Sequence, residues 1–424
     1  VAEACFVGID FGTSGCRAVA IDRCGAILAQ VRRALLPPQV VGNAIEQDPT
    51  IWWEDCTALL DALTSTLNGR PIAALCVNGT SGTVLVTDAL GAPLAPARMY
   101  NDATCVDESL RISLCAPPTS GAHGPSSGLA KALRLLSEHA GSTRWILNQA
   151  DWIAGKLIGA FGTSDENNAL KLGYDPVEKC WPDWLATLGV PNACLPRVLA
   201  PGTALGALTQ ELATRWSQPT PPHIVAGTTD SIAAFIATCA QTQGVAVTSL
   251  GSTLVLKVIS PRPVFAPQFG VYSHRLGDLW LAGGASNSGG AVLRQFFSQQ
   301  QLDTLSQQLR PDQPTGLNYY PLPRPGERFP INDPNHAPRL EPRPADDLIF
   351  FQAMLEGMAE IERRGYALLA DLGTAYPTHV ITAGGGAQNF NWLRIRERAL
   401  GIPVTRAKHD EAAYGSALLA LRGA

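Results

Sequence analysis

Short apolar runs at 6–9, 19–21 and 27–29 are separated by the polar, glycine-bearing turns GTSGCR and RCG, a pattern that predicts three strands in a β-meander. At Pro49 the period changes. Trp52, Cys56, Leu59, Leu60, Leu63 and Leu67 recur at steps of three and four, so a helix is expected with Pro49 in its first turn, and its apolar stripe needs a sheet to cover. Residues 73–77 and 84–86 read as further strands, followed by a turn at DALG (88–91). A mixed sheet with helices laid on it is an α/β arrangement.

Between 104 and 220 the pattern loses its regularity. Helices are expected near 128–137, 149–158 and 182–188, separated by Pro/Gly-rich pieces, and the stretch reads as an insertion able to wall a pocket. HIVAGTTDSIAAFIATCA (223–240) returns to strand, glycine turn and helix. Residues 249–252 lie between GVAV and TLVLKVI, two more strands closed by a glycine turn; strands at 269–273 and 279–282 and a glycine-opened helix at 286–297 follow. The proline-rich segment 310–344 reads as long surface loop with short extended pieces, then a long helix at 346–371, then strand, glycine turn and helix over 379–399.

Two overlays within the chain repeat a pattern. IDFGTSGCRAVAI laid on TSLGSTLVLKVI brings Phe11-Gly12-Thr13-Ser14 onto Leu250-Gly251-Ser252-Thr253, and HIVAGTTDSIAAF falls on HVITAGGGAQNFNW. Both occur in the same order, which implies two copies of one fold. A length of 424 residues agrees with two domains.

Composition narrows the class of protein. With 46% hydrophobic and 16% charged residues and a mean hydropathy of +0.06, the chain can bury large cores without staples. The net charge of -4 is spread without a basic stripe, so neither nucleic acid nor a membrane is an expected partner. Ten cysteines without a CxxC pair and seven histidines without ligand spacing give no zinc site, and reduced thiols in a cytoplasmic protein are the simpler expectation. No basic-then-apolar leader precedes Cys5, no run approaches the ~20 apolar residues that cross a bilayer, and a first residue of Val leaves a trimmed start open.

The turns hold the candidate chemistry. A glycine-hydroxyl turn between strands can aim several backbone N–H groups at one place, which suits phosphate oxygens. Gly12, Thr13 and Ser14 form one such turn, Gly251, Ser252 and Thr253 another, and the pair would hold a polyphosphate from both sides of a cleft. Asp10 ends the first strand, where a carboxylate suits magnesium held through water better than phosphate itself; Ser249 stands there in the second overlay. Asp230 has two readings, an N-terminal helix carboxylate favoured by the dipole or a general base for an alcohol attacking phosphorus. AGGGAQN (383–389) is either tight helix packing or flat backbone against an adenine ring, and neither GxxxxGK[ST] nor a GxGxxG after the first strand is present.

Taken together, GTSG after the opening strand, GTTDSIAAF, TSLGST and TAGGGAQN before EAAYGSALLAL (411–421) resemble the FGGY family of carbohydrate kinases over most of the chain. Within it the GTSG and TTD details look most like the D-ribulose kinases of bacteria and plants, a group that includes xylulose-kinase-like proteins. The resemblance implies an α/β fold of duplicated ribonuclease-H-like, actin-like ATPase domains with a catalytic cleft between them, 1–240 binding sugar and 241–424 binding nucleotide. It also implies transfer of the ATP γ-phosphate, with Mg2+, to a small ketopentose such as D-ribulose. D-xylulose, L-ribulose or glycerol, or an actin-like ATPase without sugar transfer, are the alternatives. By motif, Asp230 falls on the catalytic base and borders the metal, Asp10 on the metal-associated carboxylate, Gly12, Thr13, Ser14, Gly251, Ser252 and Thr253 on the phosphate turns, and Gly384, Gly385, Gly386, Gln388 and Asn389 on the adenosine-binding stretch.

On the sugar side the expected contacts are Ser14, Gly15, Arg17, Ser81, Asp102 and Asp230. YNDAT (100–104) resembles a stretch where relatives follow the acid with Arg, which is missing here, so a smaller or differently held substrate is expected. Asp102 and Ser81 can each pair with a buried hydroxyl, with a solvated turn as the alternative for Asp102. Arg17 either points into the cleft or lies exposed, at least one of Trp52 and Trp53 packs the core, and Cys16 is a small core residue. Monomer and homodimer both stay open.

Overall fold

The computed structural model describes residues 3–424, in two compact units. The first holds the described residues up to Ala237 together with Glu411–Ala424; the second is Thr238–Asp410. Among the described residues no helix is long and apolar enough to cross a membrane.

The meander forms as the pattern predicts. Cys5–Phe11 pairs antiparallel with Gly15–Ile21, and that strand with Ile27–Ala34. On its other side Cys5–Phe11 runs parallel to Ile72–Gly79, which runs parallel to His223–Val225, and Ala204–Ala207 closes the six-stranded sheet antiparallel. Helix Pro49–Leu67 covers one face with the stripe Trp52, Cys56, Leu59, Leu60, Leu63 and Leu67; Asp48 caps it by accepting the Thr50 N–H at 2.9 Å, and Pro49 costs nothing at the first position. Helix Ala412–Arg422 covers the other face. It lies so close that a Cβ on Gly8 would run into the Ala413 carbonyl, which is why the end of the chain folds with its beginning.

In the second unit Val245–Leu250 lies mid-sheet, antiparallel to Leu254–Ser260 and parallel to His379–Ala383. Leu279–Ser286 and Tyr272–Leu276 extend one side and Val404–Arg406 the other. The helix Asp347–Asp371 packs on this sheet with Phe350, Phe351, Met354, Met358 and Tyr366 buried.

The expectation of duplicated ribonuclease-H-like, actin-like domains is corrected by this topology. The fold is α/β with mixed sheets, but the two units are not copies of one domain. The first carries sheets of five and two strands besides its six-stranded one, whereas the second has a single six-stranded sheet. Their edges differ too, antiparallel at Ala204–Ala207 and parallel at Val404–Arg406. The overlays detect something local: residues 12–14 and 251–253 each join a strand to its antiparallel neighbour, and similar short turns impose similar residues without dictating the rest of a domain.

Other departures have equally local causes. The expected strand at 84–86 is Val84–Thr87, but it belongs to a separate five-stranded sheet with Trp145–Asn148 and Ala97–Arg98. The expected helix at 286–297 shrinks to Gly290–Leu293 because the preceding strand runs on to Ser286. The proline-rich 310–344 segment has little regular structure, yet it is not simply surface: Tyr319, Tyr320, Leu322 and Phe329 are buried in the second unit's core. Glu327 anchors it, accepting from Ser286 Oγ at 2.6 Å, Tyr320 Oη at 3.0 Å and the Asn287 N–H at 2.8 Å. Prolines cannot donate to a ladder, so backbone pairing here is limited to isolated pairs such as Tyr320 with Arg339 and Glu327 with Asp333, and side chains supply the rest of the hold.

Candidate functional site

The first unit gathers two carboxylates at neighbouring strand ends. Asp10 is the last but one residue of its strand, level with Arg17 on one side and Asn78 on the other. The next parallel strand ends at Gly79, which bridges to Thr229, and Asp230 opens the following helix, Asp230–Ala237. Gly227 allows this crossing, since a Cβ there would run into the Val77 carbonyl. Asp230 Oδ1 accepts the Ser231 N–H at 2.6 Å, which agrees with the first-turn carboxylate reading, and its charge also reaches Asp10.

Asp10 is an unusual group. Its Oδ1 is sealed from solvent with no hydrogen-bond partner. Burial first, then the Asp230 charge, pushes its carboxyl up to about 7, with Glu411 adding and Arg17 opposing. Asp10, Gly12, Ser14, Gly15 and Arg17 line a hollow of about 360 Å³ together with Arg32. In the adjoining turn the Gly12 N–H is spent on the Gly15 carbonyl at 3.0 Å, while those of Thr13 and Ser14 have no protein acceptor among the described residues. Arg17 is half-exposed and ion-paired: Glu411 receives Arg17 at 3.3 Å and Arg32 at 3.0 Å. Nothing in the sequence near Arg17 pointed to Glu411, 394 residues away.

In the second unit Gly251, Ser252, Gly385, Gly386, Gln388 and Asn389 line one cavity of about 610 Å³, floored by Leu250, Phe351 and Trp392. Thr253 and Gly384 adjoin these residues without lining it. Asp410 accepts the Gly384 N–H at 2.8 Å, and Asn389 both caps the Trp392 N–H at 3.0 Å and donates to Ser306 Oγ at 2.9 Å. Neither Asp410 nor Ser306 was visible as a support of this turn from spacing alone.

Elsewhere in the first unit the expected sugar contacts are placed differently. Ser81 is half-buried, and its carbonyl accepts Lys171 Nζ at 3.3 Å. Asp102 is fully buried: its carboxylate accepts the Thr104 N–H at 2.9 Å, Thr104 Oγ1 at 2.6 Å and Arg98 at 3.3 Å, the contacts of an Asx turn locked by an ion pair. Close by, Lys131 is buried with Nζ on the Met99 carbonyl at 2.8 Å, and burial, then Lys171, pushes its ammonium down to about 7. Trp52 is core, donating Nε1 to Gln47 at 2.7 Å and meeting Trp152 edge-on at 6.2 Å; Trp53 lies under Lys156. Cys16 is buried, as a small core residue should be.

Residues of the first unit fit a magnesium ion that arrives with phosphate. Among the described residues no group of three or more metal-ligating side chains exists, so the protein offers the unsatisfied Asp10 and the neighbouring Asp230, leaving other positions to phosphate and water. A stability test follows without metal. Because the folded state holds the Asp10 proton more tightly than an ordinary carboxyl of 3.8, Asp10 costs stability progressively as pH rises from about 4 through about 7. Asp10→Asn in a chelator is therefore expected to raise the unfolding free energy at pH 8 by about 1–2 kcal/mol once solvent screening is allowed for, seen as a higher Tm, and to change little at pH 4. A gain independent of pH contradicts this.

Comparison with known proteins agrees with the geometry. Residues 5–115 match the N-terminal domain of the FGGY family of carbohydrate kinases, and residues 246–424 its C-terminal domain. The xylulose kinase of Escherichia coli is 24% identical over 416 residues, covering 92% of this chain and 84% of that protein. A crystal structure of a xyloylose kinase from Brucella ovis has a TM-score of 0.89 at 24% identity, over 99% of this chain and 90% of that one. A glycerol kinase of Plasmodium falciparum solved with ADP reaches 0.85 at 16%, over 99% and 89%. Those two are likenesses of fold. The two domain matches span more than half of the sequence, in order, and include the turns at 12–14, 251–253 and 384–389: the chain belongs to the FGGY family of carbohydrate kinases.

Proposed function

We propose that this protein transfers the γ-phosphoryl group of ATP to a hydroxyl of a small ketopentose, D-ribulose first, with sugar on the first unit and nucleotide on the second. One observation carries the reading: the Asp10 oxygen left unsatisfied within the field of Asp230, beside a turn with free Thr13 and Ser14 amides. A buried Asp10 oxygen without a partner, in the field of a second carboxylate, is costly unless a cation and an anionic substrate complete the strand end. The 610 Å³ cavity lined by two glycine turns supports nucleotide binding in the second unit.

In this mechanism the sugar hydroxyl oxygen attacks the γ-phosphorus, its proton passes to the Asp230 carboxylate, and the bond to the ADP oxygen breaks. The free amides of Thr13 and Ser14 in the first unit, and those of Ser252 and Thr253 in the second, are each suited to receive phosphate oxygens and offset transition-state charge. Asp10, through water, and Asp230 beside it would hold a magnesium ion, which would supply further positive charge at the phosphates. Ser14, Gly15, Arg17 and Ser81 orient the sugar, and Asp102, its oxygens already engaged by Arg98 and Thr104, holds its own turn.

D-xylulose is the second reading, because relatives such as those of Escherichia coli and Streptomyces coelicolor carry the name xylulose kinase. ADP release should be measured against ketopentoses, pentitols and glycerol with ATP, and the phosphate then located in the product. The highest kcat/KM is expected for D-ribulose. Preference for D-xylulose hands the site to the second reading, while sugar-independent hydrolysis with no phosphorylated sugar overturns both.

A further inference from the structure

We propose that Arg294 is a phosphate-binding residue of the nucleotide site, supplying the positive charge that the glycine turn at 251–253 lacks. The inference rests on the reading of the second unit's cavity as a nucleotide site. Arg294 follows the short helix Gly290–Leu293, which begins beside the turn and fixes it: the Gly290 N–H donates to the Gly251 carbonyl at 2.9 Å and the Ala291 N–H to that of Ser252 at 3.1 Å. Two carbonyls of the turn are thereby occupied. The Ser252 and Thr253 amides have no protein acceptor among the described residues.

Arg294 Nη2 donates to Ser252 Oγ at 2.8 Å, so the guanidinium lies over the same turn. It is exposed, lines the cavity, and has no carboxylate partner among the described residues. The other charged lining residue is Asp303, which accepts from Gln299 Nε2 at 2.8 Å; no lysine lines the cavity. Backbone amides alone would leave a di- or triphosphate short of countercharge. A guanidinium has five N–H donors, and one is used on Ser252, so the fork can take phosphate oxygens while staying anchored.

Calorimetry with ADP and with adenosine separates this role from a merely structural one. Arg294→Gln keeps a donor for Ser252 and removes the charge; it is expected to weaken ADP by about ten- to a hundredfold, leave adenosine unchanged, and raise the KM for ATP without moving that for sugar. Arg294→Lys, which keeps the charge and loses the fork, should fall between. ADP affinity within twofold of the parent in Arg294→Gln overturns the proposal, as does an equal loss for adenosine, which would report a disturbed cavity. A parent protein that binds neither ADP nor adenosine would instead remove the nucleotide reading on which it rests.

Discussion

Asp230→Ala is expected to lower kcat by about 10²- to 10⁴-fold, the usual range for losing a general base, with ADP affinity within about threefold of the parent. The prediction separates the two readings of Asp230. As a helix-end carboxylate alone it stabilises the first turn by less than about 1 kcal/mol, and its loss would leave turnover nearly intact. As the group that accepts the sugar proton, its loss removes the chemical step and spares the second unit's cavity. Single-turnover ADP release and calorimetry measure the two quantities separately, and a kcat within a factor of ten of the parent would take Asp230 out of the mechanism. The geometry adds a second readout. The Asp230 charge is the next cause after burial of the raised Asp10 carboxyl, so Asp230→Asn should shift the Asp10 titration downward from about 7. Carbon-detected carboxyl titration of the ligand-free protein would follow it.

The largest stability effect is expected far from any reacting atom, at Glu362. Arg396 Nε and Nη2 donate to the two Glu362 oxygens at 2.6 and 2.7 Å, Arg396 Nη1 donates to Thr382 Oγ1 at 2.6 Å, and Thr248 Oγ1 donates to Glu362 at 2.5 Å. Both charged side chains are essentially without solvent. Removing one partner strands a buried charge, so Glu362→Ala should cost about 3–5 kcal/mol and lower Tm by roughly 6–20 °C. Replacing both with apolar residues of similar volume should recover much of that loss, because the desolvation of the pair disappears with it. Denaturant melts of the single and double variants test this; a single-variant loss below about 1 kcal/mol would mean that water reaches the pair. The network also joins Val245–Leu250 to His379–Ala383 through Thr248 and Thr382, and these strands lead into the turns at 251 and 384. Weakened ADP binding should accompany the loss of stability.

Legibility differed from element to element for physical reasons. Helix Pro49–Leu67 was readable because a proline in the first turn and an apolar stripe are both local, while its Asp48 cap appeared only in the structure. The helix at 149–158 and the hairpin turns were similarly plain. Strand Ala44–Gln47 and helix Val106–Cys115 left no comparable mark, being short or weakly patterned and completed by distant partners. The 310–344 segment was misjudged since proline content reports missing ladder donors and is blind to four aromatic and aliphatic side chains entering a core.

By itself the sequence determined the α/β class, the long helices, both glycine-hydroxyl turns and the Asp10 carboxylate beside the first, since each depends on residues within one or two turns of chain. Tertiary structure alone decided that the units are not copies, that Asp230 comes beside Asp10, that Glu411 meets Arg17, and that Arg294 lies over Ser252. Spacing along a chain governs hydrogen bonds and periodicity nearby, whereas the pairing of charges across tens or hundreds of residues is set by how sheets and helices pack.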